Sequence, residues 1–176
     1  YAPVSVLRRL FDEATEFDGA VGLAIATRAD CLADDTLQYL GELANRTVLT
    51  VELGLQSSSD RTAIRINRGH SFADFCVGFR KLREISDRIR IGVHVIFGLP
   101  DETEAEMLNT VRAVAALHPD EVKIHLLHVL RGTPLAELYA SGKYAPMERE
   151  DYVRTVGKAL TLLSSDIVIG RLTGDG

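Results

Sequence analysis

The stretch "VELGLQSSSDRTAIRINRGH", residues 51–70, reads as a strand that runs straight into a helix. Leu49, Val51, Leu53 and Leu55 fall on one side of that strand, and Thr50, Glu52, Gly54 and Gln56 on the other. Alternate side chains of a strand point to opposite faces. One face is therefore aliphatic, while the other carries a carboxylate, a glycine and an amide. Such a face meets either water or a polar ligand.

The pattern repeats along the chain. Strands are expected at 20–27, 48–56, 88–100, 121–130 and 166–172, with helices at 3–16, 34–46, 59–66, 71–85, 101–117, 134–142 and 147–164. Asp34 or Asp35 is the expected N-cap of the second helix, and the acids that open 101–117 suit a helix N-terminus. Strands alternating with helices predict a parallel sheet with crossover helices.

The two faces of each strand choose between parallel architectures. A doubly wound sheet is covered by helices on both sides, so its central strands are apolar throughout. Here Ile91, Val93, Val95 and Phe97 oppose Gly92, His94, Ile96 and Gly98, and Val122, Ile124 and Leu126 oppose Lys123, His125 and Leu127. One apolar face and one small-and-polar face predict an α/β fold of the partial TIM-like barrel type, with a ligand at the strand ends.

The 176 residues, 46% hydrophobic and 26% charged, suit one soluble domain over 1–176. A net charge of −5 argues against a broad phosphate-binding surface. No apolar run reaches the roughly 18 residues of a membrane span, and no signal peptide opens the chain. Two cysteines, Cys31 and Cys76, are too few for a disulfide framework and read as reduced thiols of a cytoplasmic protein, with Cys76 in the core. The first residue is Tyr1 rather than methionine, so the expectation is a piece of a longer protein.

In a barrel, functional groups gather at the C-terminal ends of the strands. Those ends offer Thr27 and Arg28, Glu52 and Gln56, His94 and Gly98, then His125 and His128. There is no GxGxxG, P-loop, HExxH or GxSxG pattern, and His125 and His128 point to opposite faces of one strand. The basic residues Lys81, Arg83, Arg88 and Arg90 read as a solvated helix end rather than a nucleic-acid site.

Taken in order, "GLAIATRADCL", "VELGLQSSSDRTAIRINRGH", "VHVIFGLPDET" and "VKIHLLHVLRGTPLAELY" resemble a radical S-adenosylmethionine (SAM) protein of the YhcC/YtqA-type Fe–S oxidoreductases. The resemblance covers essentially the whole chain and implies the C-terminal portion of a (β/α)₆ barrel, roughly from its second helix through its sixth strand and the helix and strand that follow, with SAM and a 4Fe-4S cluster as cofactors of the full-length protein. The family's CxxxCxxC cluster loop is absent here, so the resemblance implies a fragment that is inactive alone. It implies reductive cleavage of SAM to a 5′-deoxyadenosyl radical, hydrogen abstraction from an unknown substrate, and an electron donor as partner. A tRNA base is one substrate by analogy. Gln56 matches a SAM-contacting glutamine, Arg68 an arginine that meets the methionine carboxylate, His94 a ribose position, and Ile96 to Leu99 the adenine segment. Glu52 and Gly98 complete the cofactor-binding set. Ala26 and Ala29 depart from the family pattern at positions that bear on the ribose contact. A non-catalytic, metabolite-binding α/β barrel is the competing expectation. In an incomplete barrel the strand at 20–27 lacks its usual neighbour, so self-association through that edge, or its occlusion by the first helix, is also expected.

Overall fold

The computed structural model describes residues 2–173. Five parallel strands, β1 (Gly22–Thr27), β2 (Val48–Gln56), β3 (Ile89–Phe97), β4 (Glu121–Leu126) and β5 (Val168–Arg171), lie side by side in chain order. A doubly wound sheet reverses its strand order at a switch point. The unbroken order β1-β2-β3-β4-β5 is that of a barrel wall, here a partial one.

The helices are α1 (Val4–Glu16), α2 (Asp34–Ala44), α3 (Asp60–Arg65), α4 (Phe72–Ile85), α5 (Glu104–Ala115), α6 (Pro134–Ala140) and α7 (Arg149–Leu160). Helices α2, α4, α5 and α7 supply the buried side chains that cover one face of the sheet, whereas α1 and α6 bury no residue completely. Leu49, Val51, Leu53, Ile91, Val93, Val95, Phe97 and Ile124 are wholly inaccessible and share one core with Tyr39, Leu43, Phe75, Leu82, Val114 and Ala159. The opposite residues of β2, namely Thr50, Glu52, Gly54 and Gln56, are only half-buried. The alternation read from the sequence is thus the real division between core and open face.

Close approach at one glycine holds the layers together. A Cβ on Gly78 of α4 would lie 2.3 Å from the Ala29 carbonyl oxygen of the 3-10 turn Ala29–Cys31. Only glycine lets α4 come this near to backbone.

Several boundaries differ from the sequence reading. The N-cap of α2 is Ala33, without a side-chain cap. Asp34 instead binds Lys81 at 3.0 Å, and Asp35 turns onto the Thr36 amide at 2.7 Å. Helix α5 begins at Glu104 rather than 101, because Asp101 takes φ +63° and Thr103 forms a capping box with Glu106. Strand β4 stops at Leu126 rather than 130. Its neighbour β3 ends at Phe97 and turns away at Gly98, φ +83°, so 128–130 has no strand to pair with. His128 therefore leaves the sheet. Cys76 is only half-buried, as is Cys31. Among the supposed helix-end cations, Lys81 and Arg83 are paired, with Asp34 and Asp120. Strand β1 pairs with β2 on one side, and α1 packs beside it through Val4 and Phe11.

Candidate functional site

The parallel register stacks the open-face residues in rows. Ala26, Glu52, Gly92 and Glu121 form one row, and Gly54, His94, Lys123 and Arg171 the next toward the C-terminal ends. Above them come Gln56 and the pair Ile96–His125.

Within the two lower rows four side chains make one network. Glu52 accepts from Lys123 Nζ at 2.5 Å through Oε1 and contacts His94 Nε2 at 2.7 Å through Oε2. Lys123 also reaches Glu121 at 3.4 Å. The carboxylate of Glu52 can only accept, so His94 Nε2 carries the shared proton. Burial pushes the Glu52 carboxyl upward, but the hydrogen bonds of Lys123 and His94 outweigh it and hold Glu52 below its ordinary range. Burial likewise disfavours the Lys123 ammonium, yet Glu52 and Glu121 raise its pKa. Gly170 makes the room: a Cβ there would collide with the Glu121 carboxylate.

His94 stacks on His125, ring centroids 5.1 Å apart. Burial, then the neighbouring charges of His94, Arg171 and Lys123, lower the His125 pKa. Its Nε2 is buried with no hydrogen-bond partner among the described residues.

A second convergence lies higher. Strand β2 carries a bulge between Gly54 and Gln56, and Gln56 takes φ +74°. Bulges re-aim side chains. A Cβ placed on Gly54 would lie 2.7 Å from the Gln56 amide nitrogen and 2.9 Å from Arg68 Nη2. The two groups thus meet over a bare glycine, and Arg68 Nη2 donates to the Gly54 carbonyl. Arg28, at the end of β1, pairs with Asp30 and passes 3.1 Å from the Cβ position of Gly69. Gly98 turns the end of β3, where its carbonyl accepts from Tyr144 Oη at 2.8 Å.

The sequence-predicted residues therefore form two groups rather than one. Gln56 and Arg68 converge at the upper rim, and Glu52 and His94 are committed to each other below. Gly98 closes the next strand end. Lys123 and Glu121 were missed as site residues; the available signal was that Lys123 shares a strand face with His125.

The chain is similar to known proteins. The sequence profile of the Radical SAM superfamily matches residues 5–114, and that of the Radical_SAM C-terminal domain matches 119–176. This chain belongs to the radical SAM superfamily. It is 46% identical over 176 residues to "Uncharacterized protein YtqA" of Bacillus subtilis, covering 100% of this chain and 54% of that protein. It is 34% identical to "Protein YhcC" of Escherichia coli, covering 98% and 56%. A more distant relative, 25% identical over 158 residues (88% of this chain, 29% of that protein), is the "tRNA uridine(34) acetyltransferase" of Methanocaldococcus infernus. In fold the chain matches a solved structure of the archaeal Methanocaldococcus infernus Elp3, with TM-score 0.78 and 24% identity over 89% of this chain and 36% of that one. The chain spans about half the length of the curated relatives it matches most fully.

The residues present fit the two expected cofactors unequally. The sequence has two cysteines, and no three His, Cys, Asp or Glu side chains among the described residues are grouped to hold a metal. An iron–sulfur cluster needs about three or four closely placed thiolates, and the described residues present no such set. The cradle over Gly54 does fit a small carboxylate. It joins a guanidinium, which matches a carboxylate fork, to an amide donor in a half-buried place.

Proposed function

We propose that this chain is the cofactor-facing and substrate-facing part of a radical SAM enzyme whose cluster ligands lie elsewhere in a longer protein. The observation that carries this reading is the meeting of Gln56 and Arg68 over Gly54, at the C-terminal edge of a sheet whose inner face is polar. When bound, the cluster and SAM together supply one-electron reduction and hydrogen-atom abstraction, which is the cofactors' own chemistry. The chain by itself is then inactive.

Its residues bind and orient. Arg68 takes the methionine carboxylate of SAM, with Gln56 beside it. The apolar turn from Ile96 to Leu99 lies against the adenine, and Gly98 lets that backbone approach closely. Glu52 fixes the His94 ring through Nε2 and leaves Nδ1 to face a ribose hydroxyl. Glu121, Lys123 and His125 lie beside that pair on the open face and meet the substrate. The name of the archaeal tRNA uridine acetyltransferase supports a tRNA base as that substrate. No helix among the described residues is long and apolar enough to cross a membrane. Two free cysteines suit a reducing cytoplasm, where an electron donor is available.

The test is calorimetric titration of SAM into the full-length, cluster-loaded protein. Removing a charge-assisted partner from a desolvated ion costs about 2–5 kcal/mol. Arg68→Ala should therefore weaken binding by roughly 30-fold or more, and Arg68→Lys should recover only part. Arg65 points away to Asp101 at 3.2 Å, so Arg65→Ala should change little. Equal affinities across the set would remove Arg68 from the site. A wild-type protein that binds no SAM would favour the metabolite-binding barrel.

A further inference from the structure

We propose that Glu102, in the loop between β3 and α5, is a positioning residue that holds the Gln56–Arg68 cradle in shape. The inference rests on the cofactor reading above, but its central contacts do not.

The turn that follows β2 is tied to the next loop and to α5 by side-chain hydrogen bonds. Glu102 Oε1 accepts from Ser57 Oγ at 2.5 Å and from Thr62 Oγ1 at 3.2 Å. Ser57 in turn accepts from the Ser59 amide at 3.0 Å, and Thr110 Oγ1 of α5 accepts from the Ser58 amide at 3.0 Å. Ser57, Thr62 and Thr110 are 4%, 2% and 2% exposed. Buried hydroxyls without partners are costly, so the carboxyl that collects two of them sets where the turn sits.

This matters because of what flanks the turn. Gln56 precedes it in the left-handed region, which non-glycine residues occupy only when their surroundings enforce it. Thr62 lies in α3, and the Arg68 amide closes the end of that helix on Ala63 O at 2.8 Å. Glu102 thus grips both the strand end that aims Gln56 and the short helix that leads to Arg68.

A second observation gives the latch a pH dependence. Burial raises the Glu102 pKa, against the hydrogen bonds of Ser57 and Thr62. The charged groups around it are Glu106 from α5, which adds to the rise, and Arg61 from α3, which opposes it. Asp101 adjoins in the same loop, and Lys143, from the segment after α6, shares a cavity of about 290 Å³ with Glu102 and Tyr144. Glu106 is held at about 2 by the Thr103 amide and hydroxyl and by Arg61, so it stays ionised while Glu102 titrates. A carboxyl whose folded pKa is raised lends stability at low pH and loses it as pH rises through the folded value.

The test is hydrogen exchange at Ser58 and Ser59 in the full-length protein, at about pH 4, below the ordinary carboxylate range, and at about pH 8. In wild type, protection should be lower at the higher pH, because the raised Glu102 group has ionised. Glu102→Gln keeps both hydroxyls satisfied without a charge and should be protected equally at both pH values. Glu102→Ala should lose roughly tenfold or more at both, equivalent to about 1.4 kcal/mol. SAM affinity should follow the same order, with the glutamine variant near wild type and the alanine variant weakened tenfold or more. Wild-type protection in Glu102→Ala, or a wild-type pH profile in Glu102→Gln, would overturn the proposal. A wild-type protein that fails to bind SAM would remove the cofactor reading, while the exchange pattern would still decide whether Glu102 sets the turn.

Discussion

Replacing Gly54 with alanine separates function from stability. The new methyl carbon would lie 2.7 Å from the Gln56 amide nitrogen and 2.9 Å from Arg68 Nη2, so both groups must retreat. Both contacts are with the far ends of flexible side chains, and the three nearest atoms all belong to side chains. Relief of glycine's chain entropy returns about 0.5–1 kcal/mol, against a comparable cost for moving two side chains. The expected change in thermal midpoint is therefore no more than about 2–4 °C. Binding should respond more strongly. A displacement of about 1 Å in a positioned site costs up to roughly 100-fold, and a weakened charge-assisted fork about 1.4–2.8 kcal/mol, or ~10- to 100-fold. Thermal unfolding paired with SAM titration of the full-length Gly54→Ala protein measures both. Wild-type affinity in a normally folded variant would show that the cradle holds no part of the cofactor.

Gly78→Ala should do the reverse, since its methyl would strike the Ala29 carbonyl at 2.3 Å where only backbone could yield. Denaturant unfolding should show a loss of about 1–3 kcal/mol or more. Lys123→Met should strip Glu52 and Glu121 of their shared cation and cost about 2 kcal/mol near neutral pH. Because the folded pKa of Glu52 is lowered, the stability it lends is present above the ordinary carboxylate range and lost as pH falls through the lowered value. The gap between wild type and Lys123→Met should accordingly narrow in acid, as followed by urea unfolding across pH. Asp120→Ala should destabilise by about 1–3 kcal/mol, because Asp120 Oδ2 accepts from the Ile91 amide at 2.7 Å and Arg83 at 2.9 Å.

The division of the sheet into core and open face was legible because strand alternation is local. Leu49 through Gln56 declare their faces without knowledge of any partner. The ends of elements were less legible. The start of α5 depends on the left-handed Asp101 and the Thr103 capping box, and the end of β4 depends on where β3 turns at Gly98. The network below the rim was legible only in part. Glu52 and His94 stood out as polar residues on a strand face, but Lys123 meets Glu52 across 71 residues of sequence. Only the register of three strands brings them together. Glu102 was hidden for the same reason: its partners Ser57 and Thr62 lie 45 and 40 residues away and look like ordinary loop and helix residues.

The central claim is that the open face of this sheet is the cofactor face. It is tested most directly by an anaerobic structure of the full-length, cluster-loaded protein with SAM. The methionine carboxylate should lie within hydrogen-bonding distance of the Arg68 guanidinium, beside Gln56, with the adenine against Ile96 to Leu99. SAM bound away from Gln56, Arg68 and the end of β3 would contradict it.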